Sequence, residues 1–215
     1  MLTAVQRRHA IKAMRPAQPR QRYAARRKTL SEVNMLLTEK TLSSKDIFNG
    51  RILHVIHDEV ELGDGTTSLR EVVRHPGGVC VAAIDENGCL LFVRQFRYPY
   101  GEVVLELPAG KLEKGSTPLE NGKRELLEET GAVGYSYISL GQVYPSPGYT
   151  DEIIHLYACR VRSVGEARPD EGEFLNVERI PIIKAAEMVL NNRVFDAKTQ
   201  IAVLKAAALL QSGKI

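Results

Sequence analysis

Cysteine is scarce in this chain, and long apolar runs are missing altogether. The three cysteines, Cys80, Cys89 and Cys159, are odd in number and have no metal-ligand spacing. Such a set argues against a disulfide framework, suits thiols packed as small hydrophobes, and fits a reducing, cytoplasmic location. No apolar run approaches the roughly 20 residues needed to span a membrane. The N-terminus lacks the charged-then-apolar order of a secretory signal. No internal repeat is visible. His54, His57 and His155 fall in strand patterns and His75 beside a Pro-Gly turn, so no zinc pattern forms. Gly77-Gly78 is too short a signal for a nucleotide loop.

What is present is an ordinary globular composition with an uneven charge. At 215 residues, 44% hydrophobic and 26% charged, the chain has room for one large domain, or one domain and an arm. The net charge of +3 averages two unlike parts. Residues 1–34 hold nine Lys or Arg against the single acid Glu32, leaving the remainder acidic. This arm has no sustained apolar period and reads as largely disordered. A solvated tail, or a start assigned too early with Met35 as the working initiator, is the leading reading. Binding of nucleic acid or another polyanion stands behind it, since arginines without interleaved aromatics attract phosphate unspecifically. A transit peptide, Arg-rich but without the serines, stands last.

Regular patterns begin near residue 36. Residues 51–62 alternate like a half-buried strand, Gly63-Asp64-Gly65 signals a turn, and residues 69–74 follow as the hairpin partner. Further strands are expected at 79–84, 90–96, 103–107, 138–144, 153–161 and 174–180. Residues 117–130 predict a helix with Thr117 as N-cap, Pro118 at the first position, Glu120 closing a capping box and Gly131 as stop. Two more helices are expected at 182–191 and, capped by Asp196, at 197–211. Locally pairing strands with grouped helices indicate an α+β sandwich. The units so marked are 1–34, 35–76 and 77–215.

The densest chemical signal is Arg124-Glu125-Leu126-Leu127-Glu128-Glu129-Thr130-Gly131. On a helix, Glu125, Glu128 and Glu129 share one face and repel one another. Arg124, one turn before Glu128, offsets part of that repulsion, and a hard divalent cation with oxygen ligands would offset the rest. Leu119, Gly122 and Leu126 form the face suited to packing on a sheet. Taken alone, an acidic helix face is more often merely solvated.

Together with the preceding loop, these residues resemble the Nudix hydrolase signature, Gly-x5-Glu-x7-Arg-Glu-U-x-Glu-Glu-x-Gly-U, where U is a bulky aliphatic residue. Gly110, Arg124, Glu125, Leu126, Glu128, Glu129 and Gly131 match, whereas Ser116 replaces the first Glu and Ala132 the last aliphatic. The resemblance implies a Nudix-type α/β/α sandwich with a mixed central sheet, preceded by an N-terminal antiparallel hairpin. It also implies Mg²⁺, with Mn²⁺ as a substitute, held by Glu125, Glu129 and the Ala109 carbonyl. Glu128 and Arg124 would join in catalysis, Arg124 by orienting the carboxylates.

Beyond the signature, Arg70-Glu71-Val72-Val73, the segments 93–98 and 106–110, and Tyr144-Pro145-Ser146-Pro147-Gly148-Tyr149-Thr150-Asp151-Glu152 resemble the ADP-ribose pyrophosphatase branch. Pro147, sixteen residues past Gly131, is its most telling mark. The implied reaction is hydrolysis of ADP-ribose, or a related nucleotide sugar, to AMP and ribose 5-phosphate. Substrate contacts would come from Arg70, Glu71, Arg97, Ser146, Gly148 and Glu152; the bland reading is surface ion pairs and a plain loop carboxylate. The branch also takes a carboxylate from a later loop, here residues 169–174. Glu171 is assigned as the base and Glu173 as a metal ligand, although the two could exchange roles. A homodimer is expected in which residues 45–75 cross to the neighbouring subunit, partly because the resemblance implies a nucleotide site built across a dimer and partly because a lone hairpin is marginal in water. A non-catalytic, nucleotide-binding or regulatory domain is the competing reading.

Overall fold

A computed structural model describes the protein from residue 37 to residue 215; the basic arm and Met35 lie outside the described residues. Strands β1 (Glu39–Asn49), β2 (His54–Leu62) and β3 (Thr67–Arg74) form an antiparallel sheet in that order. The β2–β3 turn closes through Asp64, whose carboxylate accepts from the Thr66 amide and hydroxyl at 3.0 and 2.6 Å. Gly65 takes a left-handed φ of 84° there. The expected hairpin is therefore a three-stranded sheet. Strand β1 escapes a periodicity argument because all eleven of its residues are exposed. Register shifts between Thr41 and Ser43, and between Asp46 and Phe48, also break its alternation.

The second sheet has seven strands: β4 (Gly78–Ile84), β5 (Cys89–Arg97), β6 (Glu102–Glu106), β7 (Ala109–Lys111), β8 (Ala132–Val143), β9 (Ile154–Val164) and β10 (Leu175–Pro181). The order is β10-β5-β4-β9-β8, with β6 beside β5 and β7 beside β4. Strands β4 and β9 run parallel and the other pairs antiparallel, so the sheet is mixed.

Every residue of β4 is buried, as its unbroken apolar run requires of a strand covered on both faces. Val81 and Ala83 pack with Leu91, Leu126 and Cys159 beneath helix α1 (Pro118–Thr130). Cys80, Ala82 and Ile84 face the other way, toward helices α2 (Ile182–Leu190) and α3 (Ala197–Gln211). The result is the α/β/α sandwich. Gly122 lets α1 sit close, since an added Cβ would lie 3.0 Å from a Val79 methyl. Ala202, Ala206 and Ala207 play the same part for α3, with Val203 filling the seam. Burying Leu126 contributes about 1.5–3 kcal/mol to holding α1 down.

Both ends of α1 follow the sequence. Thr117 Oγ1 accepts from the Glu120 amide at 3.2 Å, and the Glu120 carboxylate accepts from the Thr117 amide at 2.8 Å. Gly131 ends the helix in a left-handed conformation. Strand β8 begins six residues earlier than expected, with three register shifts along it. Among the described residues, no helix is long and apolar enough to cross a membrane.

Candidate active site

The chain turns from β6 through Leu107-Pro108 into β7, laying Ala109 and Gly110 beside Glu129 and Glu125 of α1. The Ala109 amide donates to Glu129 Oε2 at 3.1 Å. The Glu125 carboxylate lies against Gly110 so closely that an added Cβ would stand 2.0 Å from Oε1. Only glycine leaves that space. Arg124 donates to Glu128 at 2.5 Å and to Glu125 at 2.6 Å, and lies 3.3 Å from Glu113.

These carboxylates do not behave like solvated ones. Glu129 is only 4% exposed, and burial pushes its pKa up to about 8, aided by the nearby charges of Glu125 and Glu173. Burial also raises Glu125, with Arg124 pulling the other way. Among the described residues no three acidic or imidazole side chains are drawn together as tightly as a bound ion would require. Glu125 and Glu128 are instead turned to Arg124, and Glu129 to the Ala109 amide. The donors are nonetheless all oxygen, and two are half-desolvated acids side by side. That chemistry fits a hard divalent cation.

These groups line a cleft of about 810 Å³. Ala109, Arg97, Arg124, Glu125, Glu129, Glu152 and Glu173 all reach it. Glu128, bonded to Arg124, lies outside the lining. In the 169–174 segment, Gly172 turns with a φ of 87° and the Glu173 amide donates to Asp170 O at 2.9 Å. The turn directs Glu173 and Asp170 to the cleft and leaves Glu171 exposed outside its lining. Within one chain Arg70 and Glu71 are also outside. Arg70 is held by Glu39 at 2.6 and 2.9 Å and by Ser68 at 3.0 Å. Ser146 and Gly148 lie outside the lining on the β8–β9 loop, which reaches the cleft through Pro145 and Glu152. That loop is fixed to β3: the Val73 amide donates to Tyr149 O at 2.7 Å, and Asp151 bonds Arg74 at 3.0 Å and the His75 amide at 2.8 Å.

Sequence reading gave no role to four residues at this site. Glu106, 2% exposed, accepts from Arg97 through both oxygens at 2.6 and 2.8 Å. Lys198 donates to the same Glu106 at 2.5 Å and to Asp196 at 2.8 Å. Arg51 and Ile52, at the β1–β2 turn, line the cleft of their own chain. A buried acid in the Glu-Leu-Pro segment could have pointed to Glu106, but no spacing rule joins it to residue 198.

The NUDIX domain model matches residues 74–200, and the model for the nucleoside diphosphate sugar hydrolase N-terminal domain matches residues 39–73. An ADP-ribose pyrophosphatase of Bacillus subtilis (strain 168) is 40% identical over 83% of this chain and 98% of its own length. A methanol dehydrogenase activator of Bacillus methanolicus is 43% identical over 78% and 92%. A solved ADP compounds hydrolase has the same fold, with a TM-score of 0.72 at 18% identity, covering 83% of this chain and 97% of that one. With the domain model matched over residues 74–200 and a relative 40% identical over nearly its whole length, the chain belongs to the Nudix family.

Proposed function

We propose that the protein hydrolyses the diphosphate bond of ADP-ribose, or of a closely related nucleoside diphosphate sugar, giving AMP and ribose 5-phosphate. One observation carries this reading: a buried and a half-buried glutamate on one helix, Glu129 and Glu125, lie against the Ala109-Gly110 backbone and face a cleft that also holds Arg97. The named activity of the Bacillus subtilis relative supports the substrate class. Glu125, Glu129 and the Ala109 carbonyl would hold Mg²⁺, with Mn²⁺ able to replace it. The ion supplies charge neutralisation at the phosphoryl oxygens and a more acidic bound water.

The chain's own groups do the rest. Arg97 offers its guanidinium to the diphosphate, and Glu152 accepts from a ribose hydroxyl. Arg124 keeps Glu125 and Glu128 apart and aimed. Of the two loop acids, Glu173 is the better placed to take the proton from the attacking water, because Glu171 stands outside the cleft. The water oxygen joins one phosphorus while the bridging P–O bond breaks, and the departing phosphate carries the bridging oxygen away.

Arg70, Glu71, Ser146 and Gly148 enter this scheme only through a second copy of the chain. The unit 35–76 would be the dimerisation unit: its sheet exposes Leu42, Ile47, Phe48 and Leu69, apolar surface that a partner would cover. Three free cysteines suit a reducing cytoplasm. A regulatory, non-catalytic reading finds an echo in the activator named above, but the signature glutamates Glu125, Glu128 and Glu129 are intact. A panel of nucleoside diphosphate sugars with Mg²⁺, products separated by chromatography, tests the proposal. AMP and ribose 5-phosphate from ADP-ribose support it; no cleavage of any diphosphate sugar would refute it.

A further inference from the structure

The start of α3 is tied into the cleft by more than its cap. Asp196 accepts from the Thr199 amide at 2.9 Å as the N-cap, and Thr199 Oγ1 accepts from the Leu107 amide at 2.9 Å. Beside these two contacts Lys198 turns inward, 14% exposed, to Glu106 and Asp196. Glu106 Oε2 thereby accepts from Lys198 and from Arg97 Nη2, while Oε1 accepts from Arg97 Nε. Two cations and two anions balance there. Arg97 spends one edge of its fork on Glu106, and among the described residues its Nη1 makes no hydrogen bond.

We propose that Lys198 is a positioning residue for Arg97: by sharing Glu106, it lets the guanidinium hold a fixed pose with its free edge turned to an anionic diphosphate. This rests on the reading that Arg97 binds substrate. A buried carboxylate that loses one of two cations draws the remaining one more strongly and leaves an uncompensated charge. That charge would lie beside a cleft already lined by Glu125, Glu129, Glu152 and Glu173. A diphosphate would then be bound less well, with the reacting atoms undisturbed.

The test is steady-state kinetics on ADP-ribose with saturating Mg²⁺. Lys198→Met raises KM about tenfold or more and leaves kcat within about threefold. Lys198→Arg keeps the charge and restores most of the affinity. Adding Glu106→Gln to Lys198→Met lowers KM again, because the anion that needed Lys198 is gone; a merely structural lysine would not show this reversal. An unchanged KM in Lys198→Met, an equal loss in kcat, or a double variant worse than the single one overturns the proposal. Should Lys198→Met not fold, Glu106→Gln is compared with the double variant. Their KM values agree within about twofold if Lys198 acts through Glu106, and a further tenfold rise contradicts it. Arg97→Gln separates the two claims. If it leaves KM unchanged, the substrate role of Arg97 fails and this proposal with it. If it raises KM while Lys198→Met does not, only the positioning role fails.

Discussion

Glu125 stands where a side chain on Gly110 would have to be: the missing Cβ lies 2.0 Å from its Oε1 and 2.1 Å from its carboxyl carbon. Helix and loop therefore fit together only as glycine against glutamate. Gly110→Ala should fold, since the clash is relieved by swinging one side chain, but Glu125 must leave its place. The expected outcome is a large fall in activity, with a higher Mg²⁺ concentration needed for half-maximal rate. Wild-type activity with an unchanged Mg²⁺ requirement would contradict this packing.

Helix α1 carries its own start signal, and removing it should be measurable. Thr117→Ala deletes the side-chain half of the capping box and should cost about 0.5–2 kcal/mol. For a chain of this size that lowers Tm by a few degrees. Thr117→Ser, which keeps the hydroxyl, should recover most of the loss in thermal melts.

Acid should act on Glu106. Burial works to raise its pKa, but Arg97 and Lys198 outweigh that and hold it below the ordinary carboxylate value. A carboxylate whose folded pKa is lowered stabilises the fold above its unfolded pKa, near 4.3. That stabilisation is lost as pH falls through the lower, folded value. Wild type should thus melt well above Glu106→Gln near neutral pH, and the gap should close below about pH 4. A gap that is constant with pH would show that the ion pairs contribute nothing to the fold.

How much of this was legible in the sequence depended on how local the cause was. Thr117, Pro118, Glu120 and Gly131 mark α1 because a helix end is settled within four residues. Strand β4 shows itself by an unbroken apolar run. Strand β1 does not, because it is exposed throughout and its bulges interrupt alternation. Strand β7 is three residues long and exists only because β4 lies beside it. Glu171 and Glu173 are equivalent in composition; the left-handed turn at Gly172 separates them, and that is a backbone fact. The Lys198–Glu106 pair joins positions 92 residues apart, beyond the reach of any spacing argument.

The shared-site dimer is tested by mixing. Arg70→Glu subunits and Glu129→Gln subunits, each poorly active, should regenerate activity when exchanged, since some sites then have both residues intact. Light scattering should give the mass of two chains. A monomeric mass at full activity, or no recovery in mixtures shown to exchange subunits, would defeat the model.

The most direct measurement concerns Glu129 itself, the buried acid bonded to the Ala109 amide. Glu129→Gln keeps the shape of the side chain and removes the charge that the metal would need. Turnover of ADP-ribose by this variant at saturating Mg²⁺, with folding checked by circular dichroism, should fall by orders of magnitude below wild type. Near-normal turnover in a folded Glu129→Gln protein would contradict the account.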